Sequence, residues 1–249
     1  MKLHSQKRGA GLLATALLFS LGACQTPTLQ HAPWSQIGEG TATVGASTGW
    51  AFYSANIAAS GQSGVLAGDE GEDDVDLTPN YGGALKASYF VADNLALGGI
   101  VELRSFDPDP AMPLSAELVA EDFETIHWLL TSRYFFDPFG ASLRWKPYIG
   151  LDFSYIDEVD FGSVTVNYPA PFPSEEINIL AGSYTTFAPL VGASYLWTDT
   201  STIDFGAFYE ITDKPGQTTL TFPNLGNSTA DVLVEPEGLI VFFGMTFYF

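Results

Sequence analysis

The chain is poor in cysteine, poor in basic residues and, beyond its first two dozen positions, without long apolar runs. Its single cysteine, Cys24, excludes an intrachain disulfide. Nine Lys and Arg stand against 29 Asp and Glu, a formal net charge of −20. Lys2, Lys7 and Arg8 lie at the extreme N-terminus, which leaves only six basic residues for the rest of the chain. A surface that neutralises phosphates needs Lys and Arg, so nucleic acid is excluded as a partner. No segment after Cys24 offers about 20 unbroken apolar residues, which excludes a transmembrane helix.

What is present begins with an export signal. The three early basic residues precede an apolar run from Ala10 to Ala23, the order of a signal peptide rather than of a membrane span. The run ends in Leu21-Gly22-Ala23-Cys24, which resembles a bacterial lipobox. The resemblance implies lipidation of Cys24; signal cleavage nearby with an incidental cysteine is the alternative. Residues 1–23 are therefore expected to be a signal peptide and 24–37, with Pro27, Pro33 and Trp34, a short periplasmic tether. Residues 38–249 are expected to form one barrel.

The barrel follows from a period of two. Val241, Phe243, Met245, Phe247 and Phe249 alternate with Phe242, Gly244, Thr246 and Tyr248. Ile203, Phe205, Ala207, Tyr209 and Ile211 share one face of another segment, and Phe187, Val191, Ala193, Tyr195 and Trp197 one face of a third. The same pattern appears around Trp145–Tyr155, Ile126–Tyr134, Leu95–Leu103, Leu85–Val91 and Val44–Phe52. A lipid-spanning sheet must alternate in this way, and it must close, because open strand edges cannot sit in hydrocarbon. The expected fold is all-β: an eight-stranded antiparallel transmembrane barrel. An acidic β-sandwich with a second apolar core is the soluble alternative. Short connections at 92–94, 137–142 and 198–201 alternate with long polar ones at 58–79, 107–120, 156–175 and 212–236. Short periplasmic turns and long extracellular loops have that alternation. The stretch Phe161–Tyr168 alternates as well and is expected to extend a hairpin above the membrane.

The parity opposite to the apolar face carries charge. Lys86, Glu102, Arg104, Arg133, Arg144, Asp152, Asp204 and Glu210 are expected to form an ion network inside the barrel, joined by Lys146 and His127. Eight strands enclose a space that side chains just fill. The expectation is a plug of paired charges, with a narrow conducting path as the rival. Glu124 is out of phase with His127 and would turn inward only at a bulge. Trp128, Trp145, Trp197, Tyr134 and Tyr155 are expected on the lipid face or in its aromatic girdles.

Outside the barrel, Asp69, Glu70, Glu72, Asp73, Asp74 and Asp76 cluster in the first long connection. Clustered carboxylates can bind Ca²⁺, but the spacing is not that of an EF-hand loop. A solvated acidic loop is the simpler expectation, with Ca²⁺, or divalent bridging to lipopolysaccharide phosphates, as the alternative. No other cofactor is expected.

The terminal Phe249, with apolar residues at alternate upstream positions, resembles the C-terminal signature of bacterial outer-membrane barrels. That resemblance implies that the barrel-assembly machinery reads the last strand. With Pro147-Tyr148-Ile149-Gly150-Leu151 and Leu190-Val191-Gly192-Ala193-Ser194-Tyr195, the chain is similar to the small outer-membrane barrels that include the OmpA membrane domain and OmpW-like proteins. The resemblance implies an outer-membrane location, contact with lipopolysaccharide and a monomer. It implies no catalytic set. The lipid A deacylases of this superfamily carry a His and a Ser two residues apart near the chain end, a pair missing here. The expected function is a non-enzymatic structural or surface-binding role through acidic extracellular loops. A narrow channel or transporter for small or hydrophobic molecules is the alternative, and a lipid A-modifying hydrolase a more distant one.

Overall fold

The computed structural model describes residues 34, 37–78, 80–108, 123–140, 143–157, 159–166 and 173–249. Cys24, the expected signal segment 1–23 and most of the connection after residue 108 lie outside them. Twelve strands are described: β1 Ala42–Ser63, β2 Glu70–Thr78, β3 Asn80–Ala92, β4 Leu95–Pro108, β5 Phe123–Phe135, β6 Trp145–Ile156, β7 Val159–Val166, β8 Glu175–Ala181, β9 Tyr184–Thr198, β10 Ser201–Lys214, β11 Gly216–Phe222 and β12 Ser228–Tyr248.

Eight of them close a barrel in the order β1-β3-β4-β5-β6-β9-β10-β12, every neighbour antiparallel. Closure is made by β12 against β1, from Thr43↔Tyr248 to Ser63↔Thr229. The closed ladder leaves no strand edge in the lipid zone, which is the condition for a sheet to span hydrocarbon.

The two faces sort as the alternation demands. Trp50, Leu85, Leu103, Trp128, Leu130 and Val191 all point outward and are more than half exposed, Leu130 the most at 69 %. Tyr134, Tyr155 and Trp197 lie on the same face. Met245 shares this parity but is buried, set in register between Ala46 and Ile203. The interior holds Lys86, Arg104, Lys146, Asp152, Asp204, Glu210 and His127, all buried. Apolar outside and charged inside is the reverse of a soluble sandwich and the arrangement of a transmembrane barrel.

Two inward aromatics need glycine opposite them. A Cβ on Gly192 would come within 2.5 Å of the Tyr148 ring, and one on Gly206 within 2.5 Å of the Phe242 ring. These glycines let large rings cross a narrow lumen without pushing the sheet apart.

The long connections differ from the expectation of polar loops. β1 runs on to Ser63, β12 starts at Ser228, and β2 and β11 add to them. Together they form an extracellular sheet in the order β2-β1-β12-β11. β7 and β8 pair as a separate hairpin above the membrane. Strand continues here without an apolar outer face because above the lipid no such face is required.

Candidate functional site

Two ionic clusters sit on one strand. β10 turns Asp204, Phe208 and Glu210 inward, all buried. Six residues of extended chain place the two carboxylates about 20 Å apart along the strand. Each recruits partners from strands far away in sequence.

At the lower, periplasmic-side cluster, Lys86 of β3 donates to Asp204 Oδ2 at 2.5 Å. Thr246 Oγ1 donates to the same oxygen at 2.5 Å. Ser194 Oγ at 2.7 Å and Thr202 Oγ1 at 3.0 Å serve Oδ1. The carboxylate thus receives four hydrogen bonds, which offset the cost of its burial.

At the upper cluster, Arg104 of β4 reaches across the lumen. Its Nη1 donates to Glu210 Oε2 at 2.7 Å and to the Tyr53 hydroxyl, and its Nη2 donates to Glu102 Oε2 at 2.8 Å. Tyr53 donates to Glu210 Oε2 at 2.7 Å, and Thr186 to Oε1 at 3.0 Å. Ser154 shares a hydrogen bond with Thr186. The guanidinium also lies against the Tyr53 and Phe208 rings, 5.5 and 5.9 Å from their centroids.

Between the clusters lies a cavity of about 30 Å³. Lys86, Glu102, Arg133, Asp152, Phe208 and Phe242 are among its walls. Arg133 makes no ion pair within the described residues; its guanidinium rests on the Tyr148 and Phe242 rings at 5.3 and 5.8 Å. Arg133 Nε and Asp152 Oδ1 are buried without a hydrogen-bond partner. So small a volume has room for one or two waters and for no larger ligand.

The interior residues expected from sequence therefore divide. Lys86 and Asp204 meet, as do Glu102, Arg104 and Glu210; Arg133 and Asp152 share the cavity. Arg144 requires a correction. It precedes β6, is half-buried, and its side chain turns to Tyr195 of the outward parity, Nη1 3.4 Å from the hydroxyl. Parity alone could not place it, because the alternation begins only where the strand does. The inward Glu124 needed a bulge; β4 and β5 pair without a register shift from Leu95↔Tyr134 to Phe106↔Phe123. His127 is fully buried inside the barrel, its Nε2 2.8 Å from Thr125 Oγ1 and its ring edge-on to Tyr184.

Sequence reasoning missed Tyr53 and the hydroxyl donors Thr186, Ser194, Thr202 and Thr246. All share the inward parity of their strands, so a search for uncharged polar residues on that parity would have found them. It also placed Trp34 in a tether, whereas Trp34 and Ile37 are buried with the residues of the periplasmic mouth.

The acidic segment forms a strand. Glu70, Glu72 and Asp74 are exposed, two residues apart along β2. Successive same-face positions in a strand stand about 7 Å apart. Asn56 bridges Glu72 and Asp74 at 2.9 and 3.1 Å. Asp69 precedes the strand; Asp73 and Asp76 pair through backbone with Ile57 and Ser54. Beyond β1, β12 turns Asp231, Glu235 and Glu237 to the same outer face, Asp231 accepting from Thr219 of β11 at 2.6 Å. β1, β2, β11 and β12 contain no Lys, Arg or His.

No family model and no curated protein matches the sequence. Solved structures do match. The outer membrane protein OprG from Pseudomonas aeruginosa superposes with a TM-score of 0.58 at 15 % identity, covering 85 % of this chain and 97 % of its own. Neisserial surface protein A matches with a TM-score of 0.42 at 18 % identity, covering 85 % and 100 %. At such identities the likeness to OprG is one of fold, and it agrees with the closure and face-sorting described above. The chain folds as a small eight-stranded antiparallel β-barrel.

Proposed function

We propose that the protein is a closed, non-enzymatic membrane anchor that presents an acidic β-platform at the cell surface, and that this platform binds cationic partners. The observation that carries the reading is the outer face of the extracellular sheet. Glu70, Glu72, Asp74, Asp231, Glu235 and Glu237 share it, on strands without one basic residue. Such a face attracts positive charge over about 10 Å at 0.1 M salt and favours fast, salt-sensitive association.

The barrel beneath supports the anchor half of the reading. Both ionic clusters span the lumen, and the cavity between them is sized for water. The cavity is also the observation that favours a narrow channel, since it marks where a path would run. Asp204 with Lys86 on one side and Arg104 with Glu210 on the other would have to part for it to conduct. A hydrolase reading draws no support from His127, which faces the barrel interior and away from lipid.

The test is binding of a fluorescent oligolysine to the protein in neutral phosphatidylcholine nanodiscs, followed by anisotropy. Neutralising Glu70, Glu72 and Asp74 together to Gln and Asn should weaken binding roughly tenfold, and raising the salt should abolish the difference. Equal affinities for the two proteins at low salt would refute the platform.

A further inference from the structure

Trp34 and Ile37 sit at the barrel mouth. Trp34 is 7 % exposed and Ile37 5 %, although both precede the first strand. The Trp34 indole N–H donates to the Arg144 carbonyl at 3.2 Å. Its ring stands edge-on to Tyr248, centroids 6.4 Å apart. Lys146 Nζ lies 5.3 Å from the Trp34 ring centroid and 5.7 Å from that of Phe135. The Ile37 N–H turns back to the Trp34 carbonyl at 3.2 Å. Trp34 and Ile37 thereby join one buried cluster with Phe90, Phe135, Tyr148 and Tyr248.

These contacts lie outside the barrel ladder. β1 begins at Ala42, and β12 closes on it from Thr43 onward. The barrel is complete without residues 34 and 37. Among the described residues, the Trp34 side chain is held by one hydrogen bond, one cation–π contact, the edge of Tyr248 and apolar burial, all of which can be lost together while every strand pairing remains. Thr43 is buried and pairs with Tyr248, whose ring Trp34 meets edge-on. Thr202, fully buried, links the Tyr248 hydroxyl at 3.3 Å to Asp204 at 3.0 Å. A chain of contacts from Trp34 through Tyr248 and Thr202 thus reaches the lower ion cluster.

We infer that Trp34 is a removable stopper of the periplasmic mouth, which shields the Lys86–Asp204 pair from periplasmic water and ions. The inference rests on the closed-barrel reading. Lys146 is its latch: while the stopper is seated the ammonium rests on the indole face, and when it leaves that charge is returned to water.

The test uses the full chain carrying Cys24→Ser and Thr43→Cys, so that the introduced thiol is the only one. The folded protein in detergent micelles is treated with a small, charged methanethiosulfonate reagent. Labelling should be slow with Trp34 present and about tenfold or more faster in Trp34→Ala, which loses ring burial and the cation–π contact together. Trp34→Phe keeps a ring face for Lys146 and should stay within about threefold of the slow rate. Heat-resistant electrophoretic mobility checks that each barrel is folded. If Trp34→Ala does not fold, Ile37→Ala takes its place, with an intermediate rate expected. Equal rates in the folded variants and the parent would overturn the stopper. Stable conductance of the wild type would instead sink the closed-barrel reading, so the two failures are distinguishable.

Discussion

Arg104 and Arg133 enter the same lumen from neighbouring strands, yet different chemistry holds them. Arg104 ends on two carboxylates and a tyrosine hydroxyl. Arg133 ends on the faces of Tyr148 and Phe242, beside a cavity. The difference is one of level. At the height of Arg104, β10 offers Glu210 and β1 offers Tyr53. At the height of Arg133 the wall opposite carries Phe242, seated over Gly206. The same residue type on the same face is a structural lock in one layer and a ring-stacked cation in the next.

The contrast can be broken most directly at Arg104. Arg104→Ala leaves Glu102 and Glu210 buried without their cation and should lower the unfolding free energy by about 3–5 kcal/mol, read by urea titration in lipid vesicles. A loss below about 1 kcal/mol would show that this layer is not a lock. The lipid face sets the next scale. Leu130, the most exposed outward side chain of β5, should cost about 2–4 kcal/mol as Leu130→Arg if it lies near the bilayer midplane. Tolerance of that change would argue against lipid on this face.

Arg133→Met should cost about 1 kcal/mol or less, because it forfeits ring contacts rather than an ion pair. A double-mutant cycle sharpens the point: coupling between Lys86 and Asp204 should exceed that between Arg133 and Asp152. The reverse order would mean that the cavity pair, and not the direct pair, carries the interior. The smallest effect belongs to the platform. Glu72→Gln should leave stability within about 0.5 kcal/mol of the wild type while weakening oligolysine binding at low salt.

How much of this was legible follows from what period two encodes. The faces of β9, β10 and the lower part of β12 could be read from the chain because lipid selects apolar residues at every second position. The inward charges could be read for the same reason. Their partners could not: Glu210 finds Arg104 across 106 residues of sequence, and only the register of the closed sheet puts them at one height. Above the lipid the selection ends. The run Ser54–Ser60 carries Ala, Ser and Asn on its outer face, and β2 carries carboxylates, so strands there read as loops. Arg144 failed for a related reason, as it stands just before the strand whose parity was applied to it. Trp34 gave no periodic signal, being a lone aromatic ahead of the first strand.

A lumen closed by side chains underlies both the anchor and the stopper. Single-channel recording of the wild-type protein in planar bilayers tests that most directly. Silence across the usual voltage range is the predicted result, and it leaves the acidic platform as the working surface. Stable, reproducible conductance steps would contradict the closed barrel and make transport through the cavity between Asp204 and Glu210 the function to pursue.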